Sequence, residues 1–143
     1  MIRELAEFEK MTDRSFLSAE QLFSDCLNKQ VLIWLAKLKS TGETVGYLAC
    51  YYTYSTWEGR CLFMEDIYVR PKNRRMGVGR SLWRLAAQVC VAEKLPRLVF
   101  SVLDWNEDAI KFYQSLGAED YTGKEGWREF RLVGESMRKL AES

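Results

Sequence analysis

An α+β domain, with a mostly antiparallel sheet and helices on both of its faces, is predicted by three features of the sequence. Runs rich in β-branched and aromatic residues follow one another across tight turns between positions 31 and 69. Amphipathic helical patterns flank them on either side and alternate with further short apolar runs. The composition, 48% hydrophobic and 29% charged, is that of a chain able to bury a core. Its 143 residues fit one domain spanning 1–143, since domains commonly run to about 100–150 residues.

Residues 1–10 read as a helix, with Leu5 and Phe8 among alternating charges. Ser18 followed by Gln21 is a capping box, which sets a second helix over roughly 19–28. Residues 31–38 and 45–52 read as strands joined by the turn Ser-Thr-Gly-Glu at 40–43, and the turn at 57–60 leads to a third strand over 61–69. Pro71 stops that strand. Leu82, Leu85, Ala86, Val89 and Cys90 then fall on one helix face, Pro96 ends the helix, and 98–103 reads as a strand. Asn106 is placed to cap a further helix whose first turn carries Glu107 and Asp108, as the helix dipole prefers. Ala109, Phe112, Tyr113 and Leu116 line its inner stripe, and Gly117 suits the left-handed position after its end. A last strand is expected over 127–133 and a short tail helix from about Glu135.

Lys and Arg (21) nearly cancel Asp and Glu (20), so no global field draws the chain to nucleic acid or an anionic membrane. No apolar run reaches the ~18 residues of a membrane span, and the charged start is unlike a signal peptide; a cytoplasmic protein with reduced cysteines is expected. Cys26, Cys50, Cys61 and Cys90 form no CxxC pair and read as packing residues or reduced surface thiols. With no histidine in the chain, Ser-His and Cys-His catalysis are excluded, and no metal site is expected.

The informative stretch is 65–79, Glu-Asp-Ile-Tyr-Val-Arg-Pro-Lys-Asn-Arg-Arg-Met-Gly-Val-Gly, which runs from a strand through a loop into a helix. A diphosphate needs backbone N–H groups that approach closely and a helix N-terminus aimed at it. Gly77 and Gly79 permit the approach, while Arg70, Lys72, Arg74, Arg75 and Arg80 concentrate positive charge there. Glycine spacing alone reads equally as an exposed basic turn. No GxxxxGK[ST] is present, and GxGxxG fails for want of a third glycine. Arg74-x-x-Gly77-x-Gly79 instead matches Arg/Gln-x-x-Gly-x-Gly/Ala, the acetyl-CoA loop of GNAT enzymes. Seven residues separate Asn106 from Tyr113, which puts both on one helix face about 10 Å apart along the axis. That pair resembles the later GNAT motif, although Tyr113 alone reads as a core aromatic.

In detail the chain resembles the diamine acetyltransferase subfamily, the spermidine/spermine and thialysine N-acetyltransferases. The resembling stretches are 2–10, 51–60, 64–69, 102–106, 112–118 and 125–130, and the tail 134–141 resembles the thialysine branch. The loop glycine usual in the family after the arginine is Arg75 here. The chain begins at what resembles the middle of the family's first helix, so the first strand is expected to be absent, which would bare the next strand's edge.

The resemblance implies direct transfer of acetyl from acetyl-CoA to a primary amine, without an acyl-enzyme or a metal. It places Ile67, Tyr68, Val69, Arg74, Arg75, Met76, Gly77, Val78, Gly79, Arg80, Asn106 and Tyr113 at the coenzyme. An alkylamine of pKa about 10.4 is only about one part in a thousand neutral at pH 7.4, so it must lose a proton to attack. Glu65 is the candidate base, and Tyr113 the acid that protonates the departing thiolate. Strand alternation sends neighbouring side chains to opposite faces, so Glu65 and Asp66 share a site only if the strand carries a bulge. Backbone N–H groups at Ile67–Val69 are expected to polarise the thioester. The resemblance puts the substrate's second cation among Glu9, Glu65, Asp66 and Glu125, with Phe8 and Trp57 against its methylenes. Glu9 and Glu125 read equally as solvated charges, and Trp57 as a turn aromatic packed on the core. Family members of this type form homodimers, for which the hairpin Tyr47–Trp57 and the C-terminal tail are plausible surfaces.

Three other readings stay open. A catalytically impaired domain of the same fold, binding acyl-CoA or a protein partner, is supported by Arg75 and the missing strand. A nucleic-acid module using Arg70–Arg80 is opposed by the near-zero net charge. An enzyme acting on protein N-termini or lysines is opposed only by the acidic substrate positions.

Overall fold

A computed structural model describes residues 1–13 and 15–142. They form two compact units, Met1–Leu103 and Asp104–Ser143. The first opens with α1 (Ile2–Phe8) and α2 (Ala19–Leu27). Ser18 caps α2 as its sequence predicts, its Oγ accepting from the Gln21 N–H at 3.1 Å. The Gln21 side chain turns forward to Asp25 at 2.8 Å rather than back to the cap.

Strands β1 (Leu32–Lys37), β2 (Thr44–Ser55), β3 (Gly59–Val69) and β4 (Leu98–Phe100) make one sheet in that order. The first three meander antiparallel, and β4 joins β3 in parallel. No strand lies outside β1 among the described residues, which leaves β1 at the sheet edge. The hairpin is longer than its pattern suggests: β2 runs to Ser55, whose Oγ accepts from the N–H groups of Trp57 and Glu58 and closes the turn. β4 is shorter, stopping at Phe100.

The two faces of the sheet hold different partners. Tyr47, Ala49 and Tyr68 pack against Met1 and Leu5 of the α1 region and against Val31 and Ile33. Gly46, one residue out of phase with Tyr47, looks to the opposite face and to α3 (Val78–Ala92). A Cβ there would lie 2.7 Å from the Tyr68 carbonyl oxygen and 3.5 Å from Leu82 Cδ1. Gly46→Ala is therefore expected to destabilise the fold by about 1–3 kcal/mol through overpacking. Urea unfolding would show it as a lower midpoint at unchanged slope.

Helix α3 buries Leu82, Trp83, Ala86 and Cys90. Leu85 and Val89 of the expected stripe are half-buried, and Trp83, which that stripe omitted, meets Phe100 of β4 edge-on at 4.8 Å. The cysteines are free thiols, three of them buried, and burial pushes the Cys50 thiol up to about 12. This suits packing residues.

In the second unit, Asn106 Oδ1 accepts from the Ala109 N–H at 3.3 Å and starts α4 (Glu107–Gln114). The helix closes as expected through Gly117 at φ +89, with the Ala118 N–H on the Tyr113 carbonyl at 3.1 Å. Then come α5 (Thr122–Glu125) and α6 (Gly134–Ala141). The strand expected over 127–133 is not formed. Its alternating pattern is real, but a strand exists only by pairing, and the second unit has no other strand among its described residues to pair with. Trp127, Phe130 and Val133 stay exposed.

Candidate active site

The ladder between β2 and β3 contains one extra residue. Cys50 faces Met64 and Ala49 faces Asp66, which leaves Glu65 as a bulge. Before it, Leu62 and Met64 share the phase of Tyr52 and Cys50; after it, Asp66 and Tyr68 share the phase of Ala49 and Tyr47. Asp66 thus comes to the α1 side of the sheet, and Glu65 is released from strict alternation with it. The bulge that the two neighbouring carboxylates required is present.

Backbone direction follows from the same register. The Arg70 N–H bonds to the Val45 carbonyl at 2.9 Å, so Arg70, Tyr68 and Asp66 turn their backbone groups toward β2. Ile67 and Val69 turn theirs the other way. Pairing between β3 and β4 ends at Met64–Phe100, so these two residues face the gap where the parallel strands part. Of the three amides expected at the thioester, Tyr68 is thereby corrected: its backbone belongs to the ladder and its side chain to the core.

On the α1 side, the Tyr47 hydroxyl donates to Asp66 Oδ2 at 2.8 Å. Burial raises the Asp66 carboxyl above its ordinary range, and the phenol's hydrogen bond opposes that rise. Burial and then the Asp66 charge drive Tyr47 up, so it stays a donor throughout the working pH range; Glu9 adds to the effect. Glu4, at the start of α1, accepts from Arg70 at 3.3 Å and from the Tyr68 hydroxyl at 3.2 Å, and Arg70 holds its carboxyl low. Glu43 takes Lys72 at 2.7 Å and Arg70 at 3.4 Å. The charge around the loop is accordingly smaller than the sequence suggests, because Arg70 and Lys72 are already committed. Arg74 donates from Nε to the Val69 carbonyl at 2.9 Å, and its guanidinium lies 5.5 Å from the Phe8 ring and 5.7 Å from the Tyr68 ring.

After a 3-10 turn at Pro71–Asn73, the loop reaches α3 through two left-handed residues, Arg75 at φ +60 and Gly77 at φ +81. Only glycine takes that region freely, so Arg75 carries about 1–2 kcal/mol of backbone strain that the usual glycine would avoid. Gly77 is the N-cap residue of α3, and no side chain caps the helix start. A Cβ on Gly77 would meet nothing within 4 Å. The first N–H groups of α3 thus have no side-chain cap among the described residues, and exposed Arg75 and Arg80 lie beside them in the chain. An open helix start of this kind fits a diphosphate.

The profile of the acetyltransferase (GNAT) family matches residues 1–118. The chain belongs to the GNAT family. It is 43% identical over 142 residues to the thialysine N-epsilon-acetyltransferase of Caenorhabditis elegans, covering 99% of this chain and 88% of that protein. It is 32% identical to human spermidine/spermine N(1)-acetyltransferase-like protein 1, covering 99% of this chain and 21% of that protein. A solved aminoglycoside acetyltransferase from an uncultured soil metagenomic sample superposes with a TM-score of 0.76 at 20% identity, covering 94% of this chain and 86% of that one; this likeness concerns the fold.

Within this GNAT chain the expected site residues divide between the units. The first brings together Phe8, Glu9, Asp66, the Glu65 bulge, Ile67, Val69 and the loop from Arg74, Arg75 and Met76 to Val78, Gly79 and Arg80. Trp57 is not among them: it sits 85% exposed in the β2–β3 turn, ten residues or about 30 Å along the strand from Tyr47. In the second unit, Asn106 and the buried Tyr113 lie on α4 as predicted. Glu125 ends α5, and its carboxylate accepts from the Trp127 indole at 3.0 Å. Tyr47 and Glu4 escaped the sequence reading. The hairpin register could have found Tyr47, since pairing about the turn at 56–58 sets it beside positions 66–68.

Proposed function

We propose that this GNAT chain transfers acetyl from acetyl-CoA to a primary amine of a small polycationic substrate, of the thialysine or polyamine class. The observation that carries the proposal is the bulge at Glu65, which puts two carboxylates on the strand whose open edge leads into the uncapped start of α3. In this reading Arg74, Arg75, Arg80 and the amides of Met76–Gly79 hold the diphosphate, and the family resemblance assigns Asn106 and Tyr113 to the coenzyme as well. The N–H groups of Ile67 and Val69 polarise the thioester carbonyl. Glu65 removes the ammonium proton, directly or through water, and the neutral amine attacks. As the C–S bond breaks, Tyr113 gives its proton to the departing thiolate, whose conjugate acid has a pKa of about 8.5, and recovers one through solvent from the attacking nitrogen, which sheds its extra proton to become the amide. Phe8, Glu9, Asp66 and Glu125 receive the rest of the substrate. Names of relatives support the substrate class: one acts on thialysine, and another is like a spermidine/spermine acetyltransferase. The same reading takes residues 1–143 as one catalytic domain working as a cytoplasmic homodimer, with no metal and no nucleic-acid or membrane partner.

A thiol-release assay with acetyl-CoA over thialysine, spermidine, spermine, lysine and short peptides tests this. Turnover should concentrate on thialysine and the polyamines. Peptides as the sole good substrates would move the assignment to protein acetylation. Tight acetyl-CoA binding without turnover on any amine would favour the impaired, partner-binding reading, for which strained Arg75 is the structural support.

A further inference from the structure

We infer that Tyr47 is a positioning residue, whose hydroxyl fixes Asp66 as the seat for the second cation of the amine substrate. The inference rests on the amine-acetylating reading above and adds to it the residue that builds the subsite. Asp66 is half-buried, and its partner is a neutral phenol; among the described residues no cation pairs with it. A carboxylate withdrawn from water in this way is costly until a positive charge arrives. The protein's own cations nearby are engaged elsewhere. Arg70 is held by Glu4 and Glu43, Lys72 by Glu43, and Arg74 by the Val69 carbonyl between two aromatic rings. Asp66 is thus left with a neutral partner, an arrangement that suits a mobile ammonium ion.

Tyr47 suits the positioning role for three reasons. It donates to Oδ2 alone, which fixes the carboxylate plane and leaves Oδ1 available to a ligand. At 2% exposure, packed on Tyr68 with ring centroids 6.3 Å apart, it has no room to swing aside. Its hydrogen bond also opposes the rise that burial imposes on the Asp66 carboxyl, and so favours the charged form that an ammonium ion would meet.

The test compares 1,4-diaminobutane with butylamine, which differ by the second ammonium group. Affinities of both for the full chain are measured by calorimetry without acetyl-CoA, for wild type, Tyr47→Phe and Asp66→Asn. Tyr47→Phe keeps the ring and its packing. The wild type should prefer the diamine, and that preference should fall about tenfold in Tyr47→Phe, in line with loss of a hydrogen bond to a charged group. Asp66→Asn, which keeps an acceptor for the phenol but loses the charge, should abolish the preference. The inference is overturned if the wild type shows no preference, if Tyr47→Phe weakens both amines equally, or if Asp66→Asn keeps the preference. Turnover is read separately. Intact diamine selectivity with no acetyl transfer would remove the enzymatic reading and leave this subsite standing; good turnover with selectivity unchanged in Tyr47→Phe would do the reverse.

Discussion

Replacing Tyr113 with Phe is expected to lower kcat by at least about a hundredfold while KM for acetyl-CoA stays within about twofold, as loss of a general acid requires. The residue is buried on α4, at 8% exposure, and phenylalanine keeps the ring that fills the space. What disappears is the one group on that helix face able to supply a proton to a thiolate. Protonation of the sulfur as the C–S bond breaks lowers the barrier to collapse of the tetrahedral adduct, so in this reading the effect belongs to the chemical step. Steady-state kinetics with saturating amine, alongside a thermal melt to show an intact fold, make the measurement. An unchanged kcat would remove Tyr113 from the mechanism and leave it as a core aromatic.

Gly77→Asp is expected to weaken acetyl-CoA binding by more than a hundredfold with little loss of stability. The two effects separate because of where Gly77 sits. Its φ of +81 costs an L residue about 1–2 kcal/mol, but its Cβ would meet nothing within 4 Å, so the loop can accept a side chain. Aspartate is also a favoured N-cap, and α3 has no side-chain cap of its own. The new carboxylate would take the N–H groups left open at the helix start and would repel a diphosphate approaching the same place. Calorimetric titration with acetyl-CoA reads the affinity, and urea unfolding reads the stability. Undiminished binding would refute the assignment of this loop to the coenzyme.

Much of this architecture was legible because it is written in local patterns. Alternating aromatic and β-branched residues announce the meander, Ser18 and Asn106 announce helix starts, and Gly117 announces a helix end. Arg74, Gly77 and Gly79 lie at the entrance to an amphipathic helix, where the sequence put them. The misreadings share a cause, which is dependence on partners distant in the chain. Residues 127–133 have a strand's alternation, but their own unit holds no other strand among its described residues to pair with. Arg70 and Lys72 look like phosphate ligands until Glu4 and Glu43, far away in sequence, are seen to hold them. Trp57 resembles a substrate-site aromatic by motif, yet the length of the hairpin carries it to the far turn. The Tyr47–Asp66 bond spans 19 positions and could be anticipated only from the hairpin's register.

The single added residue at position 65 acts on the strand as a frameshift acts on a reading frame. Gly59–Met64 and Asp66–Val69 are two segments half a period apart, joined without a break in the chain. Were the frame continuous, Asp66 and Tyr68 would be turned into the apolar layer beneath α3, and Ile67 and Val69 would spend their amides on β2. The extra residue therefore sets the frame by its presence rather than by its side chain. A substitution of Glu65 can remove the proposed base and leave the architecture whole, and even its deletion would close the bulge with Met64 still opposite Cys50 and Asp66 opposite Ala49, whereas one further residue inserted there would exchange the faces of the strand beyond it.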